Sequence, residues 1–245
     1  MEVSGNSNDV SLWSKSMYDL YIANKNYSSW SLRPWIMLRE LGIPFVEKLV
    51  PFSKGSNWEP FRKFAPNGKV PCLHTDGEFI WDSLAIIEYL AERHPGVWPT
   101  DAKARAWARC ASAEMHSGFS ALRTHCTMNC GIRVEIASRP AALSSDIARI
   151  NELWNEGLER FGGPFLAGDQ FTAVDAMFAP VVFRAQTYGL NFTGAAQAYT
   201  QRILERESMR TWYREALAET WREGDHEEEA KLAGTWLADL RAQAA

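Results

Sequence analysis

Residues 67–84 constrain the fold of this chain more than any other stretch. Asn67-Gly68-Lys69-Val70-Pro71-Cys72-Leu73 begins as a turn and strand, and a proline interrupts it. Pro71 has no N–H, so it cannot donate in a sheet ladder. The backbone around Val70 is left for another partner. Asp76-Gly77 is a hairpin signal, and the short apolar strand after it ends at Asp82-Ser83. That acid–serine pair opens a helix, and helix N-termini collect anions. Backbone, carboxylate and helix end together suit a zwitterionic, peptide-like ligand.

The flanking pattern makes this stretch the second half of an α/β unit. Tyr18 to Ala23 alternates and is β-prone, which predicts the first strand. A polar loop over 24–31 follows, then a helix with Leu32, Trp35, Ile36 and Arg39 spaced for one buried face. Leu41-Gly42 with Pro44 beyond ends it. Proline is cheap only in the first turn of a helix, so Pro34 favours Ser31 as the N-cap, with Ser28 and Ser29 just upstream. Phe45 to Val50 supplies a second strand and closes a βαβ unit. A helix is expected from Ser83 to about Arg93.

His94-Pro95-Gly96-Val97-Trp98-Pro99 reads as a linker. Beyond it the pattern predicts helices only, over 102–128, 141–161, 172–188, 195–205 and 208–220, with a final helix over 232–240. Residues 224–230 read as exposed and acidic, and Glu227-Glu228-Glu229 as a solvated turn. Thr172-Ala173-Val174-Asp175 is a capping box with a shortened acid. The expected organisation is a tail over 1–17, an α/β domain over 18–94, a linker over 95–101 and a helical domain over 102–245.

Composition narrows the function. A net charge of −4 leaves no basic footprint for nucleic acid. No apolar run approaches the roughly 18 residues of a membrane span, and residues 1–17 lack a signal-peptide pattern. Cys72, Cys110, Cys126 and Cys130 are too few for a disulfide scaffold at 245 residues and read as reduced thiols in a cytoplasmic protein. His125-Cys126 with Cys130 fits no zinc spacing, so no metal is expected.

Four motifs in this order resemble the cytosolic glutathione S-transferases. They are Ser28-Ser29-Trp30-Ser31-Leu32-Arg33, Lys69-Val70-Pro71, Asp82-Ser83, and Phe165-Leu166-Ala167-Gly168 with the capping box. The chain looks like a bacterial, serine-type member, similar to the zeta and tau classes. The resemblance implies an α/β thioredoxin-like N-terminal domain plus an all-α C-terminal domain, a homodimer, and glutathione as co-substrate. It implies that Val70 pairs its backbone with glutathione's cysteinyl part, aimed by a cis Pro71. It further implies that Asp82 and Ser83 hold the γ-glutamyl end, with Ser83 also capping its helix, and that Lys69 and Lys54 meet the glycine carboxylate.

The same resemblance assigns Ser28 to the thiol, with Ser29 as second choice. A hydroxyl donating to sulfur favours the thiolate, and the adjacent helix N-terminus adds to this. Tyr27, Trp30, Glu114, His116, Phe119 and Arg123 are the implied acceptor-site residues. Maleyl-type isomerases resemble Ser-Ser-Cys in this loop, where this chain has Trp30. The expected activity is conjugation of glutathione thiolate to small hydrophobic electrophiles. An isomerase, lyase or peroxidase of the same fold, or a non-catalytic ligand-binding protein, is the alternative.

Overall fold

The computed structural model describes residues 18–243; the expected N-terminal tail lies outside them. Strand β1 (Tyr18–Ile22) alternates strictly, burying Tyr18, Leu20 and Ile22 on one face. Helix α1 (Ser29–Glu40) crosses to strand β2 (Phe45–Leu49), which pairs parallel to β1. A short helix α2 (Trp58–Arg62) precedes strands β3 (Cys72–Thr75) and β4 (Glu78–Ile80). Strand β3 runs antiparallel to both β1 and β4, giving the sheet order β2-β1-β3-β4. Helix α3 (Ser83–Ala91) completes a thioredoxin-like N-terminal domain.

The sheet has two unequal faces. Leu20, Ile22 and Leu73 join the main core with α1 and α3, while Ala23, Phe61, Phe64, Ala65 and Cys72 form a smaller cluster. Helix α1 starts earlier than the sequence suggested. Its N-cap is Ser28, which puts Pro34 inside the helix, in its second turn. The proline is tolerated in a helix held by tertiary packing, with nine of its residues buried, among them Trp35, Ile36 and Leu38.

A helical C-terminal domain follows. Helix α4 (Ala102–Ser117) stops at Gly118 and the left-handed Phe119, whereas one long helix was expected to run to 128. Helix α5 (Ser120–His125) then leads into strand β5 (Ile132–Ile136). Helices α6 (Ala141–Phe161), α7 (Ala173–Tyr188), α8 (Ala195–Leu204) and α9 (Glu207–Ala218) lie near their expected spans. Helix α7 packs between α1 and α4 and is buried along nearly its whole length. Its capping box forms, with Asp175 accepting the Thr172 N–H at 2.9 Å.

Two further expectations fail at the C-terminal end. The acidic stretch is helix α10 (Gly224–Ala233), capped by Glu223 through the His226 N–H at 2.9 Å. The final helix is instead strand β6 (Gly234–Asp239), antiparallel to β5. The β-prone alternation of Ile132, Val134 and Ile136 finds its partner about a hundred residues downstream, and pairing satisfies both backbones. The domain is therefore helical with a two-stranded ribbon. Among the described residues no helix is long and apolar enough to cross a membrane.

Candidate functional site

A cavity of about 750 Å³ opens where α1 begins, between the sheet domain and the helical domain. Its floor is the turn before α1. The Ser28 N–H donates to Asn24 O at 2.9 Å, and its Oγ meets Ser31 Oγ at 2.7 Å. Ser31 Oγ also accepts the Ala23 N–H at 3.3 Å. Both Ser28 and Ser29 are buried side chains of the cavity wall.

The turn is held from behind by α9. The Glu219 carboxylate accepts the backbone N–H groups of Lys25 at 2.7 Å and Asn26 at 3.2 Å, and Trp212 Nε1 donates to Lys25 O at 2.9 Å. The Lys25 ammonium sits between Glu47 and Glu215, over the rings of Trp35 and Trp212. A buried ammonium is stable only when paired in this way.

Lys69 and Val70 form the opposite lip. The Val70–Pro71 bond is cis. Gly68, just before Lys69, has φ of +64°, and a Cβ there would lie 2.5 Å from the Trp58 ring, so a side chain would both strain this turn and displace Trp58. Asp82, rather than Ser83, is the N-cap of α3, accepting the Leu84 N–H at 3.0 Å. Its other oxygen lies 3.2 Å from His116 Nε2. Ser83 Oγ is buried and has no hydrogen-bond partner among the described residues.

The implied acceptor residues divide. Tyr27, Trp30 and Arg123 line the cavity. Trp30 is gripped by the guanidiniums of Arg33 and Arg123, at 4.2 and 4.7 Å from the ring centre, with the His116 ring edge-on at 5.3 Å. The Tyr27 hydroxyl is engaged elsewhere, donating to Glu227 at 2.7 Å. Burial and that carboxylate push its pKa up. Glu114 turns away from the cavity to pair with Arg149 at 2.8 Å. Phe119 is buried against Phe178, and Lys54 stands on an exposed loop whose neighbour Phe52 lines the wall.

Residues that the sequence did not single out complete the enclosure. Arg184 of α7 reaches the floor, its Nη2 3.5 Å from Ser29 Oγ. Its signal was a lone cation in a helix otherwise too apolar for the surface. Helix α10 supplies His226, Glu229, Leu232 and Ala233 as a wall. It is fastened there by Glu227, which bonds both the Tyr27 hydroxyl and the buried Arg241 guanidinium. Among the described residues no group of acids, histidines and cysteines could hold a metal ion.

Two family models match this arrangement: the glutathione S-transferase N-terminal domain over residues 27–93 and the C-terminal domain over 101–215. The chain belongs to the glutathione S-transferase family. It is 28% identical over 183 residues to a probable maleylacetoacetate isomerase of Caenorhabditis elegans, covering 71% of this chain and 81% of that protein. It is 27% identical over 179 residues to a stringent starvation protein A homolog of Pasteurella multocida, covering 71% and 80%. Among solved structures, a glutathione transferase homolog from Burkholderia gl BGR1 with bound glutathione has a TM-score of 0.61 at 22% identity, covering 81% of this chain and 97% of that one. The tau class glutathione S-transferase of mango superposes with a TM-score of 0.61 at 19% identity, covering 88% and 96%. At those identities the two structures establish the fold alone.

Proposed function

We propose that this protein is a serine-type glutathione transferase, with Ser28 as the donor to the glutathione sulfur. The observation that carries this reading is the hydroxyl pair at the start of α1. Ser31 stands 2.7 Å behind Ser28 and already accepts from the Ala23 N–H. If the Ser31 proton turns to Ser28, the Ser28 proton is released to point into the cavity. A thiolate there gains a hydrogen bond and the positive end of α1, and both lower its pKa.

The tripeptide lies along Val70, with Asp82 and Ser83 at its γ-glutamyl end and Lys69, joined by Lys54 on its loop, at its glycine carboxylate. The orphaned Ser83 hydroxyl supports that placement, because buried polar groups are nearly always paired. The sulfur then attacks an electrophilic carbon against Trp30. A C–S bond forms, the leaving group departs with its electron pair, and the thiol proton passes to solvent. The buried, unbridged thiols of Cys72, Cys126 and Cys130 suit a cytoplasmic setting, and we propose a homodimer, which sedimentation would test.

The test is the ultraviolet absorbance of bound thiolate against pH. In Ser28→Ala the thiol pKa should rise by about one unit or more and turnover at neutral pH should fall about tenfold or more. Ser29→Ala should shift the pKa less. An unchanged titration in Ser28→Ala would sink the assignment. The competing reading is a glutathione-dependent isomerase, favoured by the likeness to a probable maleylacetoacetate isomerase. Trp30 in place of a cysteine supports conjugation instead, and a maleyl-type substrate assayed beside an aryl chloride separates the two.

A further inference from the structure

We infer that the acceptor carries an acidic group, such as a carboxylate, seated against Arg123 and Arg184 across the cavity from the tripeptide. This rests on the transferase reading and names its substrate class.

Three guanidiniums crowd one side of the site. Arg33 and Arg184 are buried, and Arg123 is half-buried. Every acceptor they find within the described residues is neutral. Arg33 Nε reaches Met177 O, Arg184 Nε reaches Cys126 O, and Arg123 reaches Gly118 O and Met115 O. Arg184 Nη2 meets only the Ser29 hydroxyl. Among the described residues Arg33 Nη1 and Nη2 and Arg184 Nη1 have no hydrogen-bond partner.

This is an expensive arrangement. Buried charges are ordinarily paired, and an uncompensated one costs several kcal/mol. Desolvation holds all three below the usual arginine range, and mutual repulsion lowers Arg33 and Arg184 further. Asp82 offsets Arg33 and Asp146 offsets Arg123 only through space. Arg184, lowered to about 10, remains charged at neutral pH.

One thiolate brings one negative charge to three cations. The carboxylates of glutathione are placed elsewhere, at Lys69 and at the α3 end. Arg123 and Arg184 both face the cavity, and Glu229, the one acidic residue of its wall among the described residues, hydrogen-bonds neither of them. An acidic group on the acceptor would give the orphaned Arg184 Nη1, and the Arg123 guanidinium beside it, a charge-assisted partner. It would also fix the electrophilic carbon relative to the sulfur.

The test compares 4-chloro-3-nitrobenzoate with its methyl ester. In both, sulfur bonds to the chlorine-bearing carbon, chloride leaves with the electron pair, and the thiol proton passes to solvent. Each kcat/KM is divided by the uncatalysed rate with glutathione. The acid should exceed the ester by about tenfold or more, and Arg123→Gln should erase most of that preference. Arg184→Lys, which keeps a charge without the planar fork, should give an intermediate preference. Equal values for acid and ester, or an equal loss for both in the variants, would overturn the inference. A second arm needs no turnover: unreactive 3-nitrobenzoate and its methyl ester are titrated by tryptophan fluorescence into the glutathione-loaded protein. Selective binding of the acid with no conjugation of either chloride would keep the anion site and reject the transferase reading. Binding without preference would reject the anion site whatever the turnover.

Discussion

A side chain's partners, more than its type, decide what it does in this molecule. Ser28, Ser29 and Tyr27 stand together in the sequence with equivalent hydroxyls. In the fold the Tyr27 hydroxyl is spent on Glu227, while the two serines line the cavity. The motif serines and Val70 were legible because each sits in a local signal, a helix start or a strand broken by proline. Arg184 and Arg241 were not, because each meets a residue far away in the chain, Ser29 for Arg184 and Tyr27 for Arg241. Ser83 offers a clean experiment at this scale. Its hydroxyl has no partner to lose among the described residues, so Ser83→Ala should leave the melting temperature within about 2 °C. Glutathione affinity should fall about tenfold, measured by calorimetry. A large melting shift with unchanged affinity would make Ser83 a folding residue only.

Among the elements, helix α7 follows its local signals, while the start of α1, the end of α4, helix α10 and the ribbon depart from theirs. Helix α7 announces itself by its capping box and its continuous apolar run. The ribbon of β5 and β6 does not, because pairing across about a hundred residues overrides the helical look of 232–240. The α4 break was missed because Gly118 and the left-handed Phe119 interrupt an alanine-rich pattern that otherwise continues. Asp175 ties several elements together, accepting from Leu166 and Thr172 N–H groups and the Tyr199 hydroxyl, at 2.9 to 3.0 Å. Asp175→Ala should therefore cost about 3 kcal/mol or more in denaturant unfolding. Burial raises its pKa to about 6 against the hydrogen bonds that lower it. The folded value lies above the unfolded one of about 3.9. The protonated form thus contributes stability below about pH 4, and this is lost as pH rises to about 6. Relative to wild type, Asp175→Asn should gain stability over that interval, and a constant difference would refute the assignment.

The molecule as a whole joins two halves of a site through clamps on one turn. Glu219, at the C-terminal end of α9, holds the backbone of Lys25 and Asn26, and Glu227 of α10 holds Tyr27, so the helical domain grips the loop that presents Ser28. Burial opposes the charge on Glu227, but Arg241 and Tyr27 outweigh it and hold its pKa below the usual carboxylate range. The contribution is present above about pH 4.3, the unfolded value, and is lost as pH falls through the folded one. Glu227→Gln should loosen α10 at neutral pH, read as faster protease cleavage after residue 222 with the sheet domain intact. Equal cleavage rates in variant and wild type would show that the fastening lies elsewhere.

The two walls of the cavity also differ in when they exist. The Lys69–Val70 lip and the serine turn are synthesised within the first third of the chain, whereas helix α10 and strand β6 come last. Substitutions in the closing segment can reshape the α10 wall of the cavity while the lip and the serine turn, built much earlier, stay as they are. The two sides of the cavity are thus separately heritable in one polypeptide, joined where Glu227 holds Tyr27.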